Sequence, residues 1–159
     1  MSKEKTNVIR ILESKKIKFE TLHYQAEEPY DGVSAAHKIE KPPEQVFKTL
    51  VTEGKSGNKY VFVIPVDKEL DLKKAAHIVN EKSVQMLPLK ELLGLTGYLR
   101  GGCSPIGMKK LFKTVVHETA KNFDMIYVSG GKRGVQIGIK SDDLCNIVHA
   151  THGDIIKDE

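Results

Sequence analysis

The chain has 159 residues and a mass of 17.8 kDa, enough for one domain with a real core. Apolar residues make up 40% and charged residues 29%, and the longest strongly apolar run, Tyr60 to Val66, has seven residues and contains Pro65; this composition is globular and excludes a membrane-spanning helix. The net charge of +4 is uneven: residues 100–140 hold eight basic and two acidic groups, whereas residues 141–159 hold one and five.

Such a basic block is either a solvated face or a footprint for a polyanion. Met1-Ser2-Lys3-Glu4-Lys5 leads into no apolar run, so no signal peptide is expected and a cytoplasmic protein is the default. Cys103 and Cys145 are too few for a disulfide framework. With no repeat and no linker-like tract, residues 1–159 read as one domain.

In chain order, Thr6 caps a first helix with Val8, Ile9, Ile11 and Leu12 as its apolar stripe. Phe19 to Tyr24 reads as a strand and Gln25 to Val33 as an acidic loop. Ser34 opens a short helix, Ala35 to Ile39, stopped by Pro42-Pro43. Pro43 starts one helical turn. Phe47 to Thr52 and Tyr60 to Val66 form a hairpin about the turn Gly54 to Asn58. Asp71 caps a helix through Val79, Ser83 to Met86 is a short strand, and Pro88 starts a helix that Gly94 ends. Gly97 to Gly107 is glycine-rich and irregular. Leu111 to His117, Met125 to Val128 and Val135 to Lys140 are strands, the last entered through Gly130 to Gly134. Ser141-Asp142-Asp143 opens a last helix through about His149. Paired strands with interspersed helices give a mixed sheet in an α/β or α+β domain.

Lys48 stands out. On a strand it shares a face with Val46 and Leu50. An ammonium between two apolar neighbours either snorkels at an edge or points into a pocket that supplies anions or carbonyl oxygens. Gly101-Gly102-Cys103-Ser104-Pro105-Ile106-Gly107 demands unusual backbone angles and is either a structural turn or a nest of N–H groups aimed at an oxygen. It matches neither the Walker loop nor G-x-G-x-x-G. Lys132-Arg133 on a glycine-rich turn suits phosphate contact or plain exposure. Cys103 has no local histidine or aspartate partner to make it a nucleophile. Cys145, His149 and His152 would fall at i, i+4 and i+7 if the last helix continued, a possible zinc face, although no Cys-x-x-Cys accompanies them. His23, His37, His77 and His117 carry no motif, and no serine triad is recognisable.

Four segments occur in order: Phe47-Lys48-Thr49-Leu50; Leu70-Asp71-Leu72-Lys73-Lys74; Thr96 to Gly102 followed by Ser104-Pro105-Ile106-Gly107; and Ile126 to Gly134. This series resembles the YbaK/EbsC family of single-domain editing proteins, nearly from end to end, and within it the Cys-tRNA(Pro) deacylases. The resemblance implies a curved, barrel-like mixed sheet flanked by helices, related to the editing domain of bacterial prolyl-tRNA synthetases. It implies cleavage of the ester between a wrong amino acid and the 3′-terminal adenosine of tRNA. Lys48 matches the essential family lysine, which orients the aminoacyl-adenosine end, and Gly101 and Gly102 match the glycine pair whose backbone faces the ester. Tyr24, Tyr30, Thr49, Ser129, Gly130 and Gln136 are the implied substrate-binding residues. Arg100, Lys109, Lys110, Lys132 and Arg133 are the implied contacts to tRNA phosphates.

In that branch the substrate's own cysteine thiol attacks the ester, and the protein supplies no covalent nucleophile, metal or cofactor. The implied partners are aminoacyl-tRNA and prolyl-tRNA synthetase, with no membrane. The chain departs from the family in two places. Gln136 stands where members often carry aspartate. Tyr30-Asp31-Gly32 stands where they tend to show phenylalanine before the glycine. These departures leave open a relative that removes another small aminoacyl group, such as alanine, by using water. A non-catalytic module for tRNA ends or nucleotides is the remaining alternative.

Overall fold

The computed structural model describes residues 5–158, so Met1-Ser2-Lys3-Glu4, read above for a leader, lies outside the described residues. Helix α1 spans Asn7–Ser14. It starts where expected because Thr6 Oγ1 accepts a hydrogen bond from the Ile9 N–H at 3.2 Å, satisfying one orphan donor of the first turn. Val8, Ile9 and Leu12 are its buried stripe. Strand β1 is Phe19–His23. Helix α2 is Gly32–Lys38 and begins earlier than Ser34. Asp31 is its cap: Oδ1 accepts from the Val33 N–H at 3.0 Å while Oδ2 accepts from the Ser34 hydroxyl at 3.1 Å. A 3-10 turn, Pro43–Gln45, leads to β2, Phe47–Gly54, which pairs antiparallel with β3, Lys59–Pro65.

Helix α3, Leu72–Ile78, is capped by Asp71, whose Oδ1 accepts from the N–H groups of Lys73 and Lys74, both at 3.0 Å. Strand β4 is Val84–Met86. Helix α4, Leu89–Thr96, runs through Gly94 and ends at Gly97, which takes the left-handed conformation at φ +88°. Gly94 is an ordinary exposed helical residue; the stop requires positive φ, and that occurs three residues later. Strands β5 (Lys113–His117), β6 (Met125–Ser129) and β7 (Val135–Lys140) follow, then α5, Ser141–Val148. His149, at φ +54°, ends α5, and the chain turns into β8, Thr151–Gly153.

Two sheets result: an antiparallel one in the order β1-β7-β6 and a mixed one in the order β4-β2-β3-β5-β8, with β3–β5 and β5–β8 parallel. An isolated parallel bridge from Val46 to Tyr127 joins them beside β2 and β6. The expected mixed α/β architecture is present. The barrel-like closure is not: the sheets meet at that bridge and do not close on each other.

Strand β3 explains the apolar run. Val61 and Val63 face the main core with Phe47, Val51, Val116, Ile137 and α1, whereas Tyr60, Phe62 and Ile64 face a second core beneath α3. Each fully buried side chain of this kind contributes ~1.5–3 kcal/mol. A third, smaller cluster packs Ala36 and Ile39 of α2 over Val46, Val66 and Tyr127. That packing sets the start of α2 beside the residue that follows Val46 and Phe47 in β2.

Candidate functional site

Lys48 lies on β2 opposite Ile64 of β3. Its ammonium is half-buried and opens into a cavity of about 280 Å3. The Val66 carbonyl oxygen is 3.5 Å from Nζ, a long contact that leaves donor capacity for a ligand. Burial pulls the Lys48 pKa below the usual lysine range, and the carboxylates of Glu69, Asp67 and Asp31 offset part of that pull. A half-buried cation in the field of three carboxylates, with one long carbonyl contact, can bind an oxygen-rich ligand.

The same cavity is lined by Tyr30, Thr49, Arg100, Gly101, Ser129 and Gln136, all anticipated from sequence. Asp31, Gly32, Phe47, Leu50, Val66 and Cys103 also line it. Gln136 sits in β7 between Leu22 of β1 and Ser129 of β6. Its Oε1 and the Thr49 Oγ1 are buried and have no hydrogen-bond partner. Orphan acceptors are costly, and at the wall of a cavity they mark places where a ligand donor fits. Ser129 Oγ accepts from the Gly131 N–H at 3.2 Å, which leaves its own hydroxyl hydrogen to donate.

The glycine loop is pressed against the β6–β7 hairpin. Gly101 has φ +87°, and a Cβ there would lie 2.6 Å from Arg133 Nε and 2.9 Å from Tyr30 Cγ. A Cβ on Gly102 would lie 2.7 Å from Lys132 Cα. These positions need glycine both for conformation and for approach. The two glycines do not share one cavity, however. Gly101 lines the Lys48 cavity, whereas Gly102 lines its neighbour, and the Gly102 N–H donates to the Leu99 carbonyl at 3.0 Å. That amide is therefore spent within the loop. The Gly130 N–H likewise donates to the Val135 carbonyl at 2.8 Å and closes the hairpin.

Tyr24 lines a smaller cavity of about 130 Å3 behind Tyr30 and Asp31. The Tyr30 hydroxyl is held well above its usual pKa, first by burial and then by Tyr24 beside it. Arg133 is a strap: it pairs with Glu28, donates from Nε to the Arg100 carbonyl at 3.0 Å and lies 5.1 Å over the Tyr30 ring. Arg100 reaches both cavities, and Lys132 and Arg133 line the neighbouring one. Lys109 Nζ donates to the Gly94 carbonyl at 3.3 Å near the end of α4, and Lys110 is exposed.

Cys103 is buried, and its thiol pKa is pushed up to about 12 by that burial, so at neutral pH it is a protonated wall of the cavity. Cys145 Sγ lies 3.5 Å from His152 Nε2, but His149 leaves the helical face at its left-handed turn. Among the described residues no group of three or more His, Cys, Asp or Glu side chains could hold a metal ion, and no helix is long and apolar enough to cross a membrane.

A sequence profile of the aminoacyl-tRNA editing domain matches residues 27–147. EbsC of Enterococcus faecalis, proposed to be a Cys-tRNA(Pro)/Cys-tRNA(Cys) deacylase, is 40% identical over 99% of this chain and 97% of its own. A proline–tRNA ligase of Lactobacillus gasseri is 25% identical over 76% of this chain, a match that occupies 22% of the ligase. Among solved structures, a proposed trans-editing enzyme for prolyl-tRNA synthetase superposes with a TM-score of 0.85 at 21% identity, covering 98% of this chain and all of that one.

Proposed function

The chain belongs to the aminoacyl-tRNA editing domain family, and on that premise we propose that it is a trans-editing deacylase that clears mischarged tRNA, with Cys-tRNA(Pro) as its principal substrate. It acts as one editing unit in the cytoplasm, where tRNA is charged, and meets its substrate on or near prolyl-tRNA synthetase. One observation carries this reading. A half-buried lysine opens into a small cavity with two unspent buried polar atoms and no activated protein nucleophile on its wall.

The chemistry follows from that wall. Lys48 holds an oxygen of the ester or of the ribose and offsets charge that develops on it. Gln136 Oε1 and Thr49 Oγ1 accept hydrogen bonds from the aminoacyl group, and the Ser129 hydroxyl donates one. The cavity thereby fixes the ester beside its own side chain. The substrate thiolate attacks the carbonyl carbon, a carbon–sulfur bond forms, and the carbon–oxygen bond to the ribose breaks. The leaving ribose oxygen takes up a proton, and the thiolactone is then opened by water. The biological need is energetic. Cysteine and proline are similar in size, and a hydrophobic pocket discriminates such pairs by only ~1–3 kcal/mol.

The test is turnover of Cys-tRNA(Pro), Ser-tRNA(Pro) and Ala-tRNA(Pro) by the purified protein. Rapid cysteine release with negligible serine release supports the thiol route, because serine differs by one atom at the attacking position. Release of alanine at a comparable rate would replace it with a water mechanism, which the neutral Gln136 amide also accommodates.

A further inference from the structure

The cavity next to the Lys48 site is the larger of the two, at about 620 Å3. One wall is α4 and the residues just after it: Leu89, Leu93 and Leu99 are 60%, 50% and 67% exposed. Such a cluster of exposed leucines is a binding surface or a liability. The lining also carries Arg100, Lys132 and Arg133, together with Glu28, which pairs with Arg133. The two cavities are neighbours: consecutive glycines, Gly101 and Gly102, line one each and Arg100 lines both. One ligand extended across that boundary would meet an ammonium first, then a cavity that combines exposed leucines with cations. A single strand of nucleic acid has that order of chemistry: an ester-bearing ribose, then bases on one side and phosphates on the other.

We propose that the Leu89, Leu93 and Leu99 cavity is the subsite for the nucleotides immediately 5′ of the terminal adenosine. Their bases lie on the leucines and their phosphates on Arg100 and Lys132. Arg133 is already paired with Glu28 and holds the rim in place. This inference rests on the deacylase reading. It adds an apolar, base-contacting half to a surface that charge alone marked only for phosphates. An apolar protein segment is the competing occupant. The shared boundary with the Lys48 cavity favours nucleic acid, since only the substrate itself must occupy both sides.

The test uses Leu93→Asp and, independently, Leu99→Asp in the full chain, both at exposed positions that leave the fold intact. Each is assayed on Cys-tRNA(Pro) and on the cysteinyl ester of adenosine. The expected result is a loss of about tenfold or more in kcat/KM on the tRNA with no change on the adenosine ester. Equal losses on both substrates, or none on either, would overturn the proposal. So would a loss that appears only when prolyl-tRNA synthetase is added, which would mark a protein-docking face. Binding of a short RNA ending in cytidine-cytidine-adenosine is measured in parallel. If the wild type cleaves neither substrate, the deacylase reading fails. The subsite then stands or falls on whether this binding drops about tenfold in the variants.

Discussion

Replacing Gly101 with alanine separates two costs that the structure places on one residue. The backbone there is left-handed at φ +87°, and the new methyl would sit 2.6 Å from Arg133 Nε and 2.9 Å from Tyr30 Cγ. The conformational term costs about 1–2 kcal/mol for an L residue. Forcing the methyl into occupied space adds about 1–3 kcal/mol. Gly57, in the β2–β3 turn, supplies the control: φ is +93°, but nothing lies within 4 Å of its Cβ position. Gly57→Ala should therefore show the conformational term alone. Urea unfolding reads the difference. With a slope of about 1–3 kcal/mol per molar for small proteins, Gly101→Ala should lower the midpoint by roughly 1–2 M, and Gly57→Ala by clearly less. Only Gly101→Ala should also lower kcat/KM on Cys-tRNA(Pro), because the displaced groups are Tyr30, which lines the Lys48 cavity, and Arg133, which lies over the Tyr30 ring. Equal midpoint shifts for the two variants, with activity intact in both, would refute the packing of the glycine loop described above.

Three further expectations follow from buried titratable groups. Lys48 is held below its unfolded pKa by burial, so its own contribution to stability rises with pH just below pH 10.5, against the opposite contributions of Cys103 and Tyr30, whose pKa values burial raises. Lys48→Met should therefore make stability fall more steeply than in the wild type in denaturation measured from pH 8 to 10.5, without weakening the fold at pH 7. His117 is buried, and its Nδ1 accepts from the Ile155 N–H at 3.3 Å, which requires the neutral ring. Burial lowers its pKa, as it does for His152, so stability should fall as pH drops below 6.5. Thermal melts of His117→Asn should show a shallower acid loss. Cys103→Ala should keep turnover within a few-fold while costing about 1–2 kcal/mol of stability, and iodoacetamide should modify the native thiol slowly at pH 7. A loss of turnover comparable to that of Lys48→Ala would make Cys103 a participant.

Much of the local structure was legible because its causes are local. Thr6 and Asp71 cap helices where the sequence places a hydroxyl or carboxylate before an apolar pattern. The β2–β3 hairpin follows from two β-branched runs around a glycine turn. The errors came where tertiary structure chose between local options. Asp31 rather than Ser34 caps α2, because that choice lets Ala36 and Ile39 cover Val46 and Val66. Gly97 rather than Gly94 ends α4, since Gly94 lies where a helix tolerates it and Lys109 Nζ reaches back to its carbonyl. Strand β8 exists only through parallel pairing with β5, which its own three residues do not announce.

The site followed the same division. The lysine, the glycine loop and the hairpin were visible as motifs. That Gly101 and Gly102 face different cavities depends on where Lys132 presses on the loop. That Asp31, Asp67 and Glu69 set the field at Lys48 depends on how α2 and the segment after β3 pack beside β2. Neither relation is local in sequence.

The most direct test of the central claim is cysteine release from Cys-tRNA(Pro) by the wild type, Lys48→Ala and Lys48→Arg at pH 7, with folding checked by circular dichroism. Lys48 should be indispensable. Release should be fast in the wild type and lost by at least about a hundredfold in the alanine variant. It should be restored poorly by arginine, whose fork does not match a point charge set among apolar neighbours. Turnover by a folded Lys48→Ala protein at the wild-type rate would contradict the assignment of this cavity as the site of deacylation.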